Sequence, residues 1–174
     1  MRNIKIVFHS PFGVCERIAE TVKNGIVSSH PEMTVTSFSL AKAGERATEK
    51  PADGCDLLII VFPACGRGAP TEVARYLKKS EIKATFASAV CAYGKGDPIF
   101  ALRKVKYLLR SKNIPLVSAM DIPVGRITPR DGREPTVPEF EASAFAEGTM
   151  MNADVGKRIV LRAQTRSDTS RLHL

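Results

Sequence analysis

Three short segments of the sequence, each between a strand-like run and a helix-like run, carry residue types that commonly bind ligands. They are His9–Cys15, Phe62–Pro70 and Cys91–Pro98, and between them they hold glycine and proline beside serine, cysteine, lysine and arginine. In an open parallel sheet, ligands bind in the crevice beyond the carboxyl ends of the strands, where the winding direction reverses. Because loops that leave neighbouring strands converge there, the three segments predict one shared ligand cleft.

The cysteines form a second candidate group, since three of the four lie in these loops. The four are Cys15, Cys55, Cys65 and Cys91, and their spacing matches neither a paired zinc pattern nor a dense disulfide framework, so reduced thiols are expected. Thiols at a cleft can bind a soft metal or form a redox pair, although a free cysteine is more often a small buried hydrophobic residue. Cys15 stands at a predicted helix start, which lowers a thiol pKa and favours the thiolate.

Five β-rich runs predict the strands that must position the loops. One of them, Leu57–Phe62, is apolar at every position, as is typical of a central parallel strand covered on both faces. The predicted strands are Ile4–Phe8, Thr34–Phe38, Leu57–Phe62, Thr85–Ala92 and Leu116–Ile122.

Apolar residues at helical spacing predict a helix after each loop. The first helix has an inward face made of Cys15, Ile18, Ala19, Val22 and Ile26. The second is Glu72–Lys79, with Val73 and Leu77 inward. The third begins at Pro98 and turns inward Ile99, Leu102, Val105, Leu108 and Leu109. Asn152 is expected to cap a last helix that ends at Gln164.

Alternation of strands and helices predicts a three-layer, doubly wound α/β fold. Its five-stranded parallel sheet has the expected order 2-1-3-4-5, with the switch between strands 1 and 3, so the first two loops lie side by side and the third flanks them. The polar stretch from residue 126 to 149 is predicted to be a long loop, and the connection from 41 to 54 to hold a short helix. Residues 1–164 are assigned to a single domain and 165–174 to a tail.

The stretch Ile4–Val124 resembles flavodoxin-like domains, which bind flavin mononucleotide (FMN). Three features carry the resemblance: the Ser-x-x-Gly turn from Ser10 to Gly13, the glycines after Phe62-Pro63, and the run Ala92-Tyr93-Gly94. The chain also resembles the flavodoxin-like domains that precede an iron–sulfur ferredoxin domain in longer relatives. No cysteine-rich ferredoxin segment occurs in the 174 residues.

The resemblance implies that FMN is the cofactor and that its phosphate lies on the first loop. Backbone N–H groups at a helix start form an anion site, which agrees with this placement. The glycines permit close approach of a planar ring, Tyr93 offers aromatic area, and Arg67 or Lys95 can stabilise negative charge on the flavin. No catalytic side chain or metal ligand is assigned. The cofactor-binding residues that the resemblance implies are Ser10, Phe12, Gly13, Val14, Cys15, Pro63, Ala64, Cys65, Gly66, Arg67, Tyr93, Gly94 and Lys95.

Departures from the family pattern leave other functions open. Members usually have threonine at the positions of Phe12 and Cys15, and often an aromatic ring at the position of Cys65. One hypothesis is an electron carrier or small oxidoreductase that uses FMN. The alternatives are a binding or regulatory module that has lost FMN, and a thiol or metal site at Cys15, Cys65 and Cys91.

The charge of the chain bears on its partner and its location. The sequence has 26 Lys and Arg against 18 Asp and Glu, a formal charge of +8, which favours an acidic redox partner. Nucleic acid is disfavoured because no recognised binding module accompanies the charge, and a homodimer is left open. No run approaches the roughly 18 apolar residues that span a bilayer and the start lacks a signal peptide, so the chain is expected to be cytoplasmic without a membrane partner.

Overall fold

The five predicted strands form one parallel sheet in the order β2-β1-β3-β4-β5. The computed structural model describes residues 2–40, 54–66, 68–94, 97–124 and 145–153. The doubly wound α/β fold and the strand order expected from the sequence are confirmed. In chain order the elements are β1 (Asn3–Phe8), α1 (Val14–Ser29), β2 (Thr34–Ser39), β3 (Cys55–Pro63), α2 (Thr71–Lys79), β4 (Ala84–Tyr93), α3 (Pro98–Arg110) and β5 (Leu116–Pro123), and residues 145–153 are also helical.

Strand β3 is the central strand of the sheet. Its residues from Leu57 to Phe62 are all fully buried, and each such aliphatic or aromatic side chain contributes roughly 1.5–3 kcal/mol by burial. Alternate side chains enter different layers because successive residues of a strand face opposite sides of the sheet. Leu57, Ile59 and Val61 pack with α1 and residues 145–153, whereas Leu58, Ile60 and Phe62 pack with α2 and α3.

The predicted inward face of α1 is confirmed, since all five of its residues are buried in the layer between α1 and the sheet. On α3 one prediction is wrong: Ile99 is 58% exposed. The predicted inward residues Val105, Leu108 and Leu109 are buried and Leu102 is half-buried, while Ala101 replaces Ile99 at the start of the inward face. Ala101 stands four residues before Val105 and therefore lies on the same face of the helix.

The C-terminal helix also differs from the prediction. Residues 145–153 are helical, so part of the expected loop is helical and Asn152 lies within a helix rather than at the start of one. Burial of Phe145, Ala146, Met150 and Ala153 against the α1 side of the sheet gives this helix its inward face. The predictions for residues 41–53, 125–144 and 154–174 lie outside the described residues. Among the described helices, none is both long and apolar enough to cross a membrane.

Candidate functional site

The three loops meet at the carboxyl edge of the sheet, and backbone hydrogen bonds join them. The N–H of Ala64 donates to the carbonyl of Ala92 over 2.8 Å, and that of Asp97 donates to the carbonyl of Gly66 over 3.5 Å. The N–H of His9, at the end of β1, donates to the carbonyl of Val61 over 3.0 Å. The parallel strands thus deliver the first, second and third loops to one edge.

The first loop turns sharply into α1 at Gly13. Gly13 has φ 81°, a left-handed conformation that glycine adopts without the steric cost of a Cβ. It has no side chain with which to cap the helix, and the hydroxyl of Ser10 accepts instead from the N–H of Glu16 over 3.1 Å. The side chains of Val14 and Cys15 are buried in the core, so these residues offer only their backbone N–H groups to a ligand.

The second loop is held by its own backbone. Cys65 and Gly68 exchange two backbone hydrogen bonds of 3.0 and 3.1 Å, and Gly66 between them has φ 55°. Among the described residues, no heavy atom lies within 4 Å of a Cβ built at Gly66 or Gly68, so the backbone there faces open space. Pro63 and Ala64 are half-buried before this turn, and Cys65 is exposed.

The third loop leads from β4 to a firmly capped α3. The carbonyl of half-buried Tyr93 accepts from the N–H of Val124 over 2.8 Å, which joins the ends of β4 and β5. The carboxylate of Asp97 accepts from the N–H groups of Ile99 and Phe100 over 2.8 and 3.3 Å. Gly94 is exposed. Two expected site residues, Arg67 and Lys95, lie outside the described residues.

Burial raises the pKa of each of the three thiols at this edge, Cys15, Cys65 and Cys91, above its ordinary value. Burial is the main cause that raises the pKa of Cys15, and the neighbouring Cys91 and Cys65 raise it further. The thiolate predicted at Cys15 is therefore wrong, because loss of solvation outweighs the field of the helix start. Burial also raises the pKa of Cys91 to about 12, and only Cys65 of the four free cysteines is exposed.

A histidine–carboxylate pair that the sequence reading missed stands beside the first loop. The Nε2 atom of His9 lies 3.7 Å from a carboxylate oxygen of Glu72, in the first turn of α2. Its Nδ1 atom is buried and has no hydrogen-bond partner among the described residues. The sequence signal that could have indicated this pair is Glu72, an acidic residue in the first turn of the helix that follows the second loop. No group of three or more His, Cys, Asp or Glu side chains within the described ranges could hold a metal ion.

Comparisons with known proteins agree with this architecture. No family model and no curated protein matches the sequence. Solved structures do: the rubredoxin oxygen:oxidoreductase of Desulfovibrio gigas has TM-score 0.62 at 13% identity over 89% of this chain, and a flavodoxin of Streptococcus pneumoniae has 0.58 at 17% over 84%. An azoreductase of Bacillus anthracis has TM-score 0.53 at 14% identity over 91%.

The extent of each match differs. This chain covers 96% of the flavodoxin and 100% of the azoreductase, but only 37% of the rubredoxin oxygen:oxidoreductase. At sequence identities of 13% to 17%, the structural similarity to these proteins establishes the fold alone. The chain has the flavodoxin-like fold.

Proposed function

We propose that this chain binds FMN at the three-loop edge and passes electrons through it to a redox partner or a small acceptor. The observation that carries the proposal is the start of α1, where the left-handed turn at Gly13 gives the helix no N-cap side chain of its own, beside the open backbone of Gly66 and Gly68 in the second loop. A helix start of this kind favours a phosphate group because its N–H groups and dipole face outward.

The residues present fit the two parts of FMN in different ways. The N–H groups of Val14 and Cys15 would hold the phosphate, with the hydroxyl of Ser10 as a further donor. The exposed backbone at Gly66 would accept one edge of the planar ring, and the half-buried Tyr93 would supply aromatic surface. Arg67 and Lys95 remain the candidates for countering negative charge on the ring.

FMN supplies the electron-transfer chemistry when it is bound, so no side chain has to act as nucleophile or metal ligand. The protein's contribution is to bind, orient and shield the cofactor. Raised pKa values keep the thiols of Cys15 and Cys91 protonated near neutral pH, which makes them poor nucleophiles beside an oxidant. The free state of all four cysteines supports the further proposal that the chain works in the reducing cytoplasm.

A second candidate function is a binding or regulatory module that does not use FMN. Its support is specific: Ser10 already accepts from the N–H of Glu16, and the Glu16 carboxylate occupies the first turn of α1. That carboxylate competes with a phosphate for the same helix dipole. The exposed ring of Phe12, 52% accessible, adds no phosphate donor.

Titration of flavin-free protein separates the two functions. We expect the protein to quench FMN fluorescence and to bind FMN more tightly than riboflavin, which has the same ring without the phosphate. Ser10→Ala should weaken FMN binding and leave riboflavin binding unchanged. Absence of quenching by either flavin would overturn the FMN proposal and favour the module. Equal affinity for both flavins would remove the phosphate role from the first loop.

A further inference from the structure

The outer surface of α3 combines aromatic and cationic side chains beside the three-loop edge. Phe100 and Tyr107 are 56% and 67% exposed, and Arg103 and Lys104 lie between them in the helix. These four residues, with Gly68 and Ala69 of the second loop, line a shallow groove of about 560 Å³. We call this set the α3 groove.

The charge of α3 has a single sign. The helix contains no Asp or Glu, and within the described ranges no carboxylate pairs with its cations. The Nζ atom of Lys104 lies 5.9 Å from the centre of the Tyr107 ring, within the range of a cation–π interaction. The exposed cations of the helix are Arg103, Lys104, Lys106 and Arg110.

We propose that the α3 groove docks an acidic redox protein and orients it toward the flavin site; this rests on the proposed function. Exposed aromatic and arginine side chains are enriched where protein interfaces hold their binding energy. Both rings keep more than half of their surface in solvent, whereas a small-molecule pocket encloses most of its ligand. The positive charge adds attraction for a partner whose surface is acidic.

The position of the groove links docking to electron transfer. Gly68 and Ala69 belong both to the groove and to the second loop of the candidate flavin site. The hydrogen bond from Asp97 N–H to Gly66 carbonyl joins the start of α3 to the same loop. A protein seated on α3 would therefore lie against the flavin edge. Exposed Ile99 lines a second groove that shares Arg103 with the α3 groove, and its aliphatic surface suits a protein better than a nucleic acid base.

The experiment measures docking without flavin, so that its result does not depend on cofactor binding. The probe is oxidised plant-type ferredoxin, an acidic iron–sulfur protein, titrated calorimetrically into flavin-free chain. The test variants are Arg103→Glu/Lys104→Glu, which reverses the charge, and Phe100→Ala/Tyr107→Ala, which removes the rings. The matched control is Lys78→Glu/Lys79→Glu, which makes the same charge change on exposed residues at the far end of α2.

We expect wild-type binding that weakens steeply between about 20 and 300 mM salt, as screening requires. Charge reversal in the groove should weaken binding roughly tenfold or more, and ring removal roughly fivefold, while the control changes it less than about twofold. Equal losses of ferredoxin affinity in the groove and control variants would show that net charge alone drives binding, which would overturn the proposal. The proposal would also be overturned if the wild-type chain bound no ferredoxin, or if it bound a poly-uridine oligonucleotide more tightly than ferredoxin.

Flavin titration of the same variants separates this proposal from the one on which it rests. Unchanged FMN affinity together with lost ferredoxin binding supports docking at α3. If the wild-type chain binds ferredoxin through α3 but binds no flavin, the docking surface stands and the electron-transfer role fails. If it binds FMN but ferredoxin binding ignores the α3 variants, the docking proposal alone fails.

Discussion

Helices α1 and α3 begin at the same edge of the sheet, yet their N-termini are built differently. At α3 the Asp97 carboxylate accepts from two N–H groups, so the chain satisfies its own helix start. At α1 the N-cap position is Gly13, and the Ser10 hydroxyl reaches only the N–H of Glu16. The difference indicates which start is available to an outside anion: α3 is closed by its own carboxylate, and α1 leaves N–H groups for a ligand.

The largest effect that would break this comparison is thiol reactivity at α1. If the start of α1 activated Cys15, that thiol would react quickly with iodoacetamide. We expect Cys65 to react roughly a hundredfold faster than Cys15 or Cys91, because a buried thiol must wait for an opening that costs about 3 kcal/mol. Peptide mass spectrometry at pH 8 measures the rates, and guanidinium should make all three similar. Fast modification of Cys15 in the folded protein would contradict the burial argument.

Restoring a hydroxyl to the first loop should sharpen the comparison next most strongly. Phe12→Thr replaces an exposed ring with a donor, and a hydrogen bond to a charged phosphate contributes about 1.5 kcal/mol. FMN should therefore bind roughly tenfold more tightly, with riboflavin unchanged. Phe12→Ala is the control that removes the ring without adding the hydroxyl. Equal gains from both substitutions would assign the effect to the ring.

Removing the cap of α3 tests the closed side of the comparison. Asp97→Ala should lower the free energy of unfolding in urea by about 1 kcal/mol, because two N–H groups lose their acceptor. Asp97→Asn should retain most of the stability, since asparagine also caps helices. Ser10→Ala should cost less than Asp97→Ala, because only one N–H depends on it. The reverse ranking would mean that α1 has the stronger internal cap.

The smallest expected effect concerns Glu16. Its carboxylate interacts favourably with the dipole of α1, so Glu16→Gln should lower the free energy of unfolding by about 0.5 kcal/mol. The same change should modestly tighten FMN binding by removing a like charge. Glu20→Gln, on the next turn, is the control and should change neither quantity. Unchanged FMN binding in Glu16→Gln would place the phosphate away from α1.

The strands of the sheet could be predicted from the sequence because the apolar pattern of a strand directly reflects how many of its faces are buried. Leu57–Phe62 is apolar throughout, and a strand covered on both faces needs such a run. The inward face of α1 followed from period alone. Strand order followed from the handedness and connection rules of alternating strands and helices, which leave few topologies.

The site was less predictable because its properties depend on distance and solvation. The Cys15 thiol was expected to be activated by its place in a helix, whereas the depth of the core around it decides its pKa. The His9–Glu72 pair joins residues from separate elements, so local pattern could not place it. On α3 the small Ala101 is buried and the larger Ile99 is exposed. The helical spacing from Val105 and Leu108 decides which residues face inward, so side-chain size alone is a poor guide.

The helix over residues 145–153 has a consequence for biosynthesis. Its buried side chains complete the same layer as Ile4 and Ile6 of the first strand. When only the five strands have been translated, the α1 side of the nascent sheet still lacks the cover of residues 145–153. Closure of this layer therefore needs residues 145–153, which follow all five strands in the sequence and share the layer with Val90 and Ile122.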